Sequence, residues 1–305
     1  MTFPKKISPA HWLKHLKLAQ PKIITFDAYN TLYCTTLPVM EQYSDEAKKC
    51  GINVTAQVLT ESFPTIFSNI KEKYPNYGKS EGLNADEWWG ILIRDIFEPH
   101  KVPKEMIQNI LKRFEGKQAY AVYPDVLELL QFLKEQHPEV VIGIISNTDP
   151  KVYRLLENLD ILKYFENFTY FSYDLELSKP DIKIFEYVLD DIIKKRPNLL
   201  DDKESLSSFK KKCWHVGDEL KNDLQCAHKA GWSNVLIDRT NNHGYFEKDK
   251  FISSDVSEHD LSIQKVDQTM CKIWELCEHQ DSGLQLDFTS FILPNLYTFR
   301  QLFFR

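Results

Sequence analysis

Residues 22–32 read KIITFDAYNTL, a short apolar run that ends in a carboxylate at Asp27. An apolar run without alternation is typical of a strand buried on both faces, as in a parallel sheet. Ligands of open parallel sheets bind outside the carboxyl ends of the strands. The stretch therefore predicts a buried strand that presents Asp27 at the ligand-binding edge of a sheet.

Four further strands are predicted after the first, and helices separate most of them. The apolar runs lie at residues 140–146, 168–171, 213–216 and 235–237, and helical patterns lie at 126–135, from 180 onward and at 220–230. This alternation indicates an α/β fold with a doubly wound parallel sheet. Because Ser146-Asn147 and Asp218 also follow predicted strands, we expect them to meet Asp27 at one edge of that sheet.

A block of helices interrupts the alternation after the first strand. Its helical patterns lie at residues 38–50, 55–74, 85–98 and 103–117. We therefore predict a helical cap at residues 36–119, inserted into a core formed by residues 1–35 and 120–280. Trp88 and Trp89 are expected to pack inside the cap or at its interface with the core. Residues 281–305 are predicted to form a C-terminal extension, for whose apolar end the sequence suggests no packing partner.

Four short motifs occur in order along the chain. They are FDAYNTL at 26–32, ISNT at 145–148, SKP at 178–180 and VGDELKND at 216–223. The ordered set resembles the haloacid dehalogenase (HAD) superfamily, which uses a nucleophilic Asp in the first motif. The resemblance covers roughly residues 20–240, and the helical insertion is similar to that family's C1 cap. Within the family, the chain is similar to the type-3 haloacid-dehalogenase-like hydrolases.

The resemblance implies a nucleophile and a metal site. Asp27 would attack phosphorus in a two-step covalent mechanism. Mg²⁺ prefers hard oxygen ligands and commonly binds through one or two carboxylates together with substrate phosphate. Asp27, Asp218 and the backbone carbonyl of Tyr29 would be ligands, with Asp223 a further or water-mediated partner. A structural alternative for Asp218 and Asp223 is that they are helix N-terminal charges favoured by the helix dipole.

The resemblance also implies groups that hold a phosphate. Lys179 would bind both the nucleophile and the phosphate by charge, and Ser146 would donate a hydrogen bond to a phosphate oxygen. Asn147 and Thr31 are candidate phosphate-binding residues of the same motifs, although Thr31 fits the orientation of its loop better. The implied ligand is a small phosphorylated molecule.

Tyr29 departs from the pattern of HAD phosphatases, which carry a second Asp two residues after the nucleophile. That Asp protonates the leaving alcohol and then activates water. A phenol with a reference pKa near 10 does not readily take both roles near neutral pH. Losing a general acid–base typically costs about 10²–10⁴-fold in rate. We therefore expect slow phosphate hydrolysis, or hydrolysis restricted to acyl and aryl phosphates, whose leaving groups depart without a proton.

Two functions remain open on the sequence, and a third has less support. The first is a slow or specialised Mg²⁺-dependent phosphatase or phosphotransferase. The second is a HAD-fold binding protein without turnover. The third is a 2-haloacid dehalogenase, since those enzymes also begin with Asp-x-Tyr. Those dehalogenases work without a metal, whereas the stretch from Gly217 to Asp223 resembles the metal motif of the phosphatases. They also use an arginine early in the cap to bind the substrate, and this chain has no arginine before Arg94.

Composition bounds the partners and the compartment. The net charge of −6 argues against a nucleic-acid or membrane-surface protein, and no apolar run approaches the roughly 18 residues of a membrane span. The six cysteines lack CxxC spacing and are expected to be reduced thiols of a cytoplasmic protein. Residues 1–26 contain five lysines and no acidic residue, which keeps a mitochondrial location as an alternative to an amphipathic helix around residues 9–19.

Overall fold

The computed structural model describes residues 4–8, 18, 20–165, 167–246 and 269–304. The strands, in chain order, are β1 (Lys5–Ile7), β2 (Ile23–Phe26), β3 (Tyr33–Thr35), β4 (Tyr120–Val122), β5 (Val141–Ser146), β6 (Thr169–Phe171), β7 (Cys213–Gly217), β8 (Ser233–Ile237), β9 (Gly283–Gln285) and β10 (Ser290–Leu293). Eight of them form one sheet in the order β1-β9-β10-β8-β7-β2-β5-β6. The six strands from β10 to β6 are parallel, whereas β9 is antiparallel to both of its neighbours.

The strand that carries the first motif lies between two others, as its apolar composition predicts. All four residues of β2 are buried, and β5 and β7 pair with it on either side. Helices flank the sheet at Pro124–Gln136, Lys151–Asn158, Ser172–Leu175, Lys183–Lys195, Leu206–Lys210, Cys226–Lys229, Met270–Cys277 and Leu296–Phe303. Short 3₁₀ turns lie at Leu162–Tyr164 and Pro197–Leu199, and Leu220–Gln225 forms a wide π-type turn. The predicted doubly wound α/β fold is confirmed.

The helical cap follows β3 and precedes β4. Its helices are Val39–Lys49, Ala56–Lys73, Ala85–Ile96 and Lys104–Arg113, with a short turn at Pro75–Gly78. Strands β3 and β4 pair antiparallel as a two-stranded ribbon that joins the cap to the core. The helix at Ala85–Ile96 begins with a capping box, in which the Asn84 side chain accepts from the Glu87 backbone N–H and the Glu87 carboxylate accepts from the Asn84 N–H. Its four helices share an apolar core that includes Met40, Leu59, Ile93 and Met106.

The C-terminal residues belong to the core. The sequence predicted an extension at residues 281–305 and left its packing partner open, whereas β9 and β10 are strands of the main sheet and β10 pairs in parallel with β8. The final helix packs its apolar side on the core, where the Phe303 ring centroid lies 4.4 Å from that of Trp214. Short runs such as β10 carry too little periodicity to predict a pairing with a distant strand.

The N-terminal residues contain one strand that was not predicted and one predicted helix that lies almost entirely outside the described residues. β1 was not predicted, and it pairs antiparallel with β9 at the edge of the sheet. Apart from Leu18, the helix expected around residues 9–19 lies outside the described residues. Among the helices that the structure describes, none is long and apolar enough to cross a membrane.

Candidate active site

The carboxyl ends of the central strands bring the predicted site residues together. Asp27 follows β2, Ser146 ends β5 and Asp218 follows β7. The register places Phe26 opposite both Ile144 and Val216, so these strand ends lie side by side. Carboxylate oxygens of Asp27, Asp218 and Asp223 all lie within 4.8 Å of one another. The four motifs therefore form a single site.

Lys179 lies buried between two of these carboxylates. Its Nζ donates to Oδ1 of Asp27 at 2.7 Å, to Oδ1 of Asp223 at 2.5 Å and to the Ile145 carbonyl at 2.9 Å. Burial by itself would lower the pKa of Lys179, but the charges of Asp223 and Asp27 outweigh it and hold the pKa above its usual range. The side chain is therefore an ammonium ion that neutralises the floor of the site.

Asn147 holds the backbone of that lysine. Its Nδ2 donates to the Lys179 carbonyl at 2.7 Å, and its Oδ1 accepts from the Lys179 N–H at 2.9 Å. Both polar groups of the amide are thus engaged with one residue. Asn147 positions the lysine, and its predicted contact with phosphate stays a prediction.

Asp223 is the second carboxylate that binds Lys179. Its Oδ2 accepts from the Glu219 backbone N–H at 2.9 Å, and its Oδ1 also lies 3.2 Å from Nε2 of His215. Burial would raise the pKa of Asp223, but the Lys179 ammonium and the bond with His215 hold it well below its usual range. Since its oxygens already have these partners, Asp223 fits the indirect role better than that of a direct metal ligand.

The Asp223 side chain can occupy this position only because residue 217 is a glycine. A Cβ atom at position 217 would overlap the carboxyl group of Asp223. His215 is fully buried, and its Nδ1 lies 2.9 Å from the Thr25 hydroxyl. Burial lowers the pKa of His215 to about 4, so the ring is neutral at physiological pH.

The negative charges of Asp27 and Asp218 are not fully compensated by neighbouring groups. Burial raises the pKa of Asp27 to about 7; Lys179 opposes this rise and Asp223 adds to it. Burial and the charge of Asp27 raise the pKa of Asp218 well above its usual range, although it accepts a hydrogen bond of 3.1 Å from the Thr31 hydroxyl. Adjacent carboxylates removed from water favour either a proton or a cation between them. This set of hard oxygen donors fits Mg²⁺.

Tyr29 is unsuited to acid–base chemistry. Its ring packs edge-on against those of Tyr33 and Tyr120, with centroid distances of 6.0 and 6.3 Å. Burial raises the pKa of Tyr29 well above 10, so the phenol neither gives nor takes a proton readily near pH 7. The burial of Tyr29 is therefore a structural reason to expect weak general phosphatase activity.

A cavity of about 730 Å³ lies between the cap and the core, and Asn147 and Lys179 are the site residues that line it, whereas Asp27 and Asp218 do not. Its lining includes Lys71, Tyr77 and Lys79 from the cap, and Ser178 and Lys179 from the core. The volume is in the range of small-molecule pockets.

Direct bonds hold the cap on the core around this cavity. Lys79 Nζ donates to the Tyr173 carbonyl at 2.8 Å, and Trp89 Nε1 donates to Oδ2 of Asp149 at 2.7 Å. Trp88 is buried and packs within the cap, while Trp89 lies at the interface. Both tryptophans thus take the structural places expected from the sequence.

One charged pair near the site was missed by the sequence reasoning. Arg239 lies just beyond β8, is 3% exposed and pairs with Asp125. It follows a predicted strand, so the rule that singled out Asp27 and Asp218 also points to position 239.

Comparison with known proteins gives one consistent result. The family model described as haloacid dehalogenase-like hydrolase matches residues 21–231. The uncharacterised protein YMR130W of Saccharomyces cerevisiae is 46% identical over 308 residues, which cover 99% of this chain and all of that protein. The haloacid dehalogenase-like hydrolase domain-containing protein 3 of Xenopus laevis is 26% identical over 221 residues, which cover 71% of this chain and 84% of that protein.

Solved structures show the same fold at low sequence identity. The HAD-hydrolase YfnB from Bacillus subtilis, bound to magnesium, has a TM-score of 0.51 and 15% identity, and the match covers 73% of this chain and 91% of that one. The L-2-haloacid dehalogenase from Xanthobacter autotrophicus has a TM-score of 0.51 and 16% identity, with 92% and 98% covered. At this identity the likeness concerns the fold alone.

Proposed function

The chain belongs to the haloacid dehalogenase-like hydrolase family, and on that basis we propose that it is a Mg²⁺-dependent phosphatase or phosphotransferase acting through an aspartyl-phosphate at Asp27. The resemblance seen in the four motifs is confirmed at the level of the family. One observation carries the finer proposal: carboxylate oxygens of Asp27 and Asp218 lie within 4.8 Å of each other, and the buried ammonium of Lys179 contacts Asp27. Such a site can hold a cation and a phosphate dianion together.

The proposed reaction has two displacements. A carboxylate oxygen of Asp27 attacks phosphorus, and the bond from phosphorus to the leaving oxygen breaks. Water, or an acceptor alcohol, then cleaves the aspartyl-phosphate. Lys179 holds Asp27 in place and offsets charge, and Ser146, buried at the end of β5, is proposed to donate to a phosphate oxygen. Bound Mg²⁺ would be held by Asp27, Asp218 and the Tyr29 carbonyl, and would supply Lewis-acid charge neutralisation.

The residue at position 29 restricts the substrates. Since Tyr29 supplies no proton to the leaving group, we propose that acyl and aryl phosphates react faster than alkyl phosphates. The ligand would occupy the cavity under the cap. None of the six cysteines is in a disulfide, which supports a cytoplasmic or another reducing compartment.

The decisive experiment is a phosphatase panel that includes acetyl phosphate, p-nitrophenyl phosphate and glycerol phosphate. We expect Mg²⁺-dependent release of phosphate from the first two, and its loss in Asp27→Asn, because the amide is not a nucleophile for phosphorus. Activity that is equal in wild type and Asp27→Asn would exclude the proposed nucleophile.

A binding protein without turnover is the second candidate, favoured by the lack of an acid–base at Tyr29. For this function, wild type and Asp27→Asn should show the same background rate of phosphate release in the panel, while wild type still binds Mg²⁺. A dehalogenase is disfavoured, because the carboxylates of Asp27, Asp218 and Asp223 form a candidate cation site and no arginine precedes Arg94 in the chain.

Mg²⁺ is expected to stabilise the protein more at about pH 8 than at about pH 5.5. The pKa of Asp27 is raised to about 7 and that of Asp218 is also raised, so the metal-free folded protein binds protons that the unfolded chain releases. Its free energy of unfolding therefore falls as the pH rises from about 4 towards 7, by a few kcal/mol at most, and stays low above that range. Mg²⁺ competes with those protons and restores stability where they are absent.

Urea unfolding with and without Mg²⁺ at the two pH values measures this effect. Asp27→Asn and Asp218→Asn should each reduce the Mg²⁺ response, since each removes a proposed ligand. An equal response at both pH values, or in both variants, would count against the ligand set.

Tyr29→Phe should leave phosphate release nearly unchanged. The phenol is buried among aromatic rings and its pKa is too high for proton transfer, so only the hydroxyl is removed from a packed ring. Initial rates on p-nitrophenyl phosphate and glycerol phosphate test this. A fall of about 10²-fold or more on the alkyl ester would show that the phenol acts as a general acid.

A further inference from the structure

Arg239 and Asp125 form a buried pair beside the catalytic loop. Nη1 of Arg239 donates to Oδ2 of Asp125 at 2.8 Å, and Nη2 donates to Oδ1 at 3.1 Å. This is the two-bond geometry that distinguishes arginine from lysine as a carboxylate partner. Asp125 is fully buried in the first turn of the helix at Pro124–Gln136.

The guanidinium also reaches the loop that carries the nucleophile. Nη2 of Arg239 donates to the Thr31 carbonyl at 3.3 Å. The hydroxyl of the same Thr31 donates to Oδ1 of Asp218 at 3.1 Å. One residue therefore connects the buried ion pair with a carboxylate of the proposed metal site.

The C-terminal segment at residues 269–304 builds the other side of this pair. The Leu296 backbone N–H, at the first residue of the final helix, donates to Oδ2 of Asp125 at 2.7 Å. Nη1 of Arg239 lies 3.9 Å from Sγ of Cys277, and the guanidinium lies 5.9 Å from the Trp274 ring centroid. The family model ends at residue 231, so Arg239 and this segment both lie beyond it.

A buried ion pair is a poor device for stability alone. Taking both charges out of water costs about as much as their attraction returns, and apolar replacements are often equally stable. The pair instead fixes the orientation of the guanidinium, because two parallel hydrogen bonds to Asp125 hold its plane. This orientation also fixes its third hydrogen bond, to the Thr31 carbonyl.

We propose that Arg239 is a positioning residue for the metal site. Asp125 and the C-terminal segment fix the guanidinium, which binds the Thr31 carbonyl so that the Thr31 hydroxyl orients Asp218. Through these contacts the C-terminal segment contributes to the geometry of the active site. This inference rests on the proposed function only in taking Asp218 as a metal ligand.

The test is a cycle of Arg239→Lys, Thr31→Val and the double variant. Lysine keeps the charge opposite Asp125 but cannot bind it in two places and also reach Thr31. Partners that orient a metal ligand typically contribute about 10–100-fold to metal affinity. We expect each single variant to weaken Mg²⁺ binding, measured by calorimetry, by about tenfold. The double variant should bind no more weakly than Thr31→Val, since Arg239 acts through the hydroxyl that Thr31→Val has already removed.

Leu133→Ala is the control for stability. Leu133 is fully buried on the same helix as Asp125, and its truncation destabilises the core while leaving the polar groups of Asp125, Arg239 and Thr31 unchanged. Its Mg²⁺ affinity should equal that of wild type. Independent losses that multiply in the double variant, or an equal loss of affinity in Leu133→Ala, would overturn the proposal.

Hydrogen exchange on the metal-free protein decides the question even if wild type fails to bind Mg²⁺. The Asn30 N–H donates to the Tyr33 carbonyl and the Leu32 N–H to the Ala28 carbonyl. These amides should exchange faster in Arg239→Lys than in Leu133→Ala, and equal exchange would refute the positioning role. Failure of Mg²⁺ binding with the expected exchange would contradict the proposed function alone.

Leu296→Pro against Leu296→Ala gives a second route if Arg239→Lys does not fold. Proline at the first helical position is compatible with a helix and removes only the N–H that donates to Asp125. Both variants lose a similar side-chain volume. Faster exchange of the Asn30 and Leu32 amides in the proline variant alone supports the proposal, and equal exchange in both opposes it.

Discussion

Lys179→Met is expected to abolish phosphate release and to lower the free energy of unfolding by about 3–5 kcal/mol. The ammonium of Lys179 is the common partner of Asp27 and Asp223, and its side chain is 1% exposed. Methionine fills similar space without charge, so two buried carboxylates lose their compensation. Removing one partner of a buried ion pair costs far more than the pair contributes, because the remaining charge stays desolvated.

The stability deficit of this variant should depend on pH in a defined direction. In the wild type the pKa of Asp223 lies below its unfolded value, so Asp223 contributes stability that is present above an unfolded pKa near 4 and is lost only as the pH falls through the lower folded value. Without Lys179, burial raises the pKa of Asp223 above the unfolded value, and the folded variant binds extra protons. The deficit should therefore be smaller at about pH 5 than at about pH 8.

Urea unfolding at both pH values, with the phosphatase panel in parallel, measures these effects. Lys183→Met is the matched control, because Lys183 is exposed in the following helix and surface changes of this kind usually lie within about 0.5 kcal/mol. A Lys179→Met protein with wild-type stability at both pH values would show that the three charges are not coupled.

Gly217→Ala is expected to lower phosphate release by about 10²-fold or more. A Cβ at this position would occupy the space of the Asp223 carboxyl group. Asp223 must then move away from the Glu219 N–H and from Lys179, and the lysine loses the support that aims it at Asp27. Overpacking of this kind typically also costs about 1–3 kcal/mol of stability.

Gly90→Ala provides the matched control in the cap. A Cβ at position 90 would meet Ile107 at an ordinary contact distance of 3.6 Å, and alanine is the better helix former. We expect this variant to keep full activity and to gain up to about 1 kcal/mol. Equal activity of Gly217→Ala and Gly90→Ala would mean that the position of Asp223 is not critical to the site.

The sequence by itself determined the edge of the sheet at which the chemistry lies. Buried parallel strands and their polar ends can be predicted from composition, and parallel strands necessarily bring their carboxyl ends together. Asp27, Ser146 and Asp218 could therefore be assigned to one site, although they are far apart in the chain. The helices of the cap were also predictable, because four amphipathic patterns with Gly and Pro breaks carry local information.

Only the tertiary structure decided how the site is supported. Asp223 was predicted near the metal, but the close approach at Gly217 directs its side chain to Lys179. Arg239 and Asp125 are separated by 114 residues, and no local pattern signals their pairing. The strands of the C-terminal segment are short, so their place in the sheet depends on partners elsewhere in the chain. Local propensity determines elements, whereas burial and long-range pairing determine which charged groups face one another.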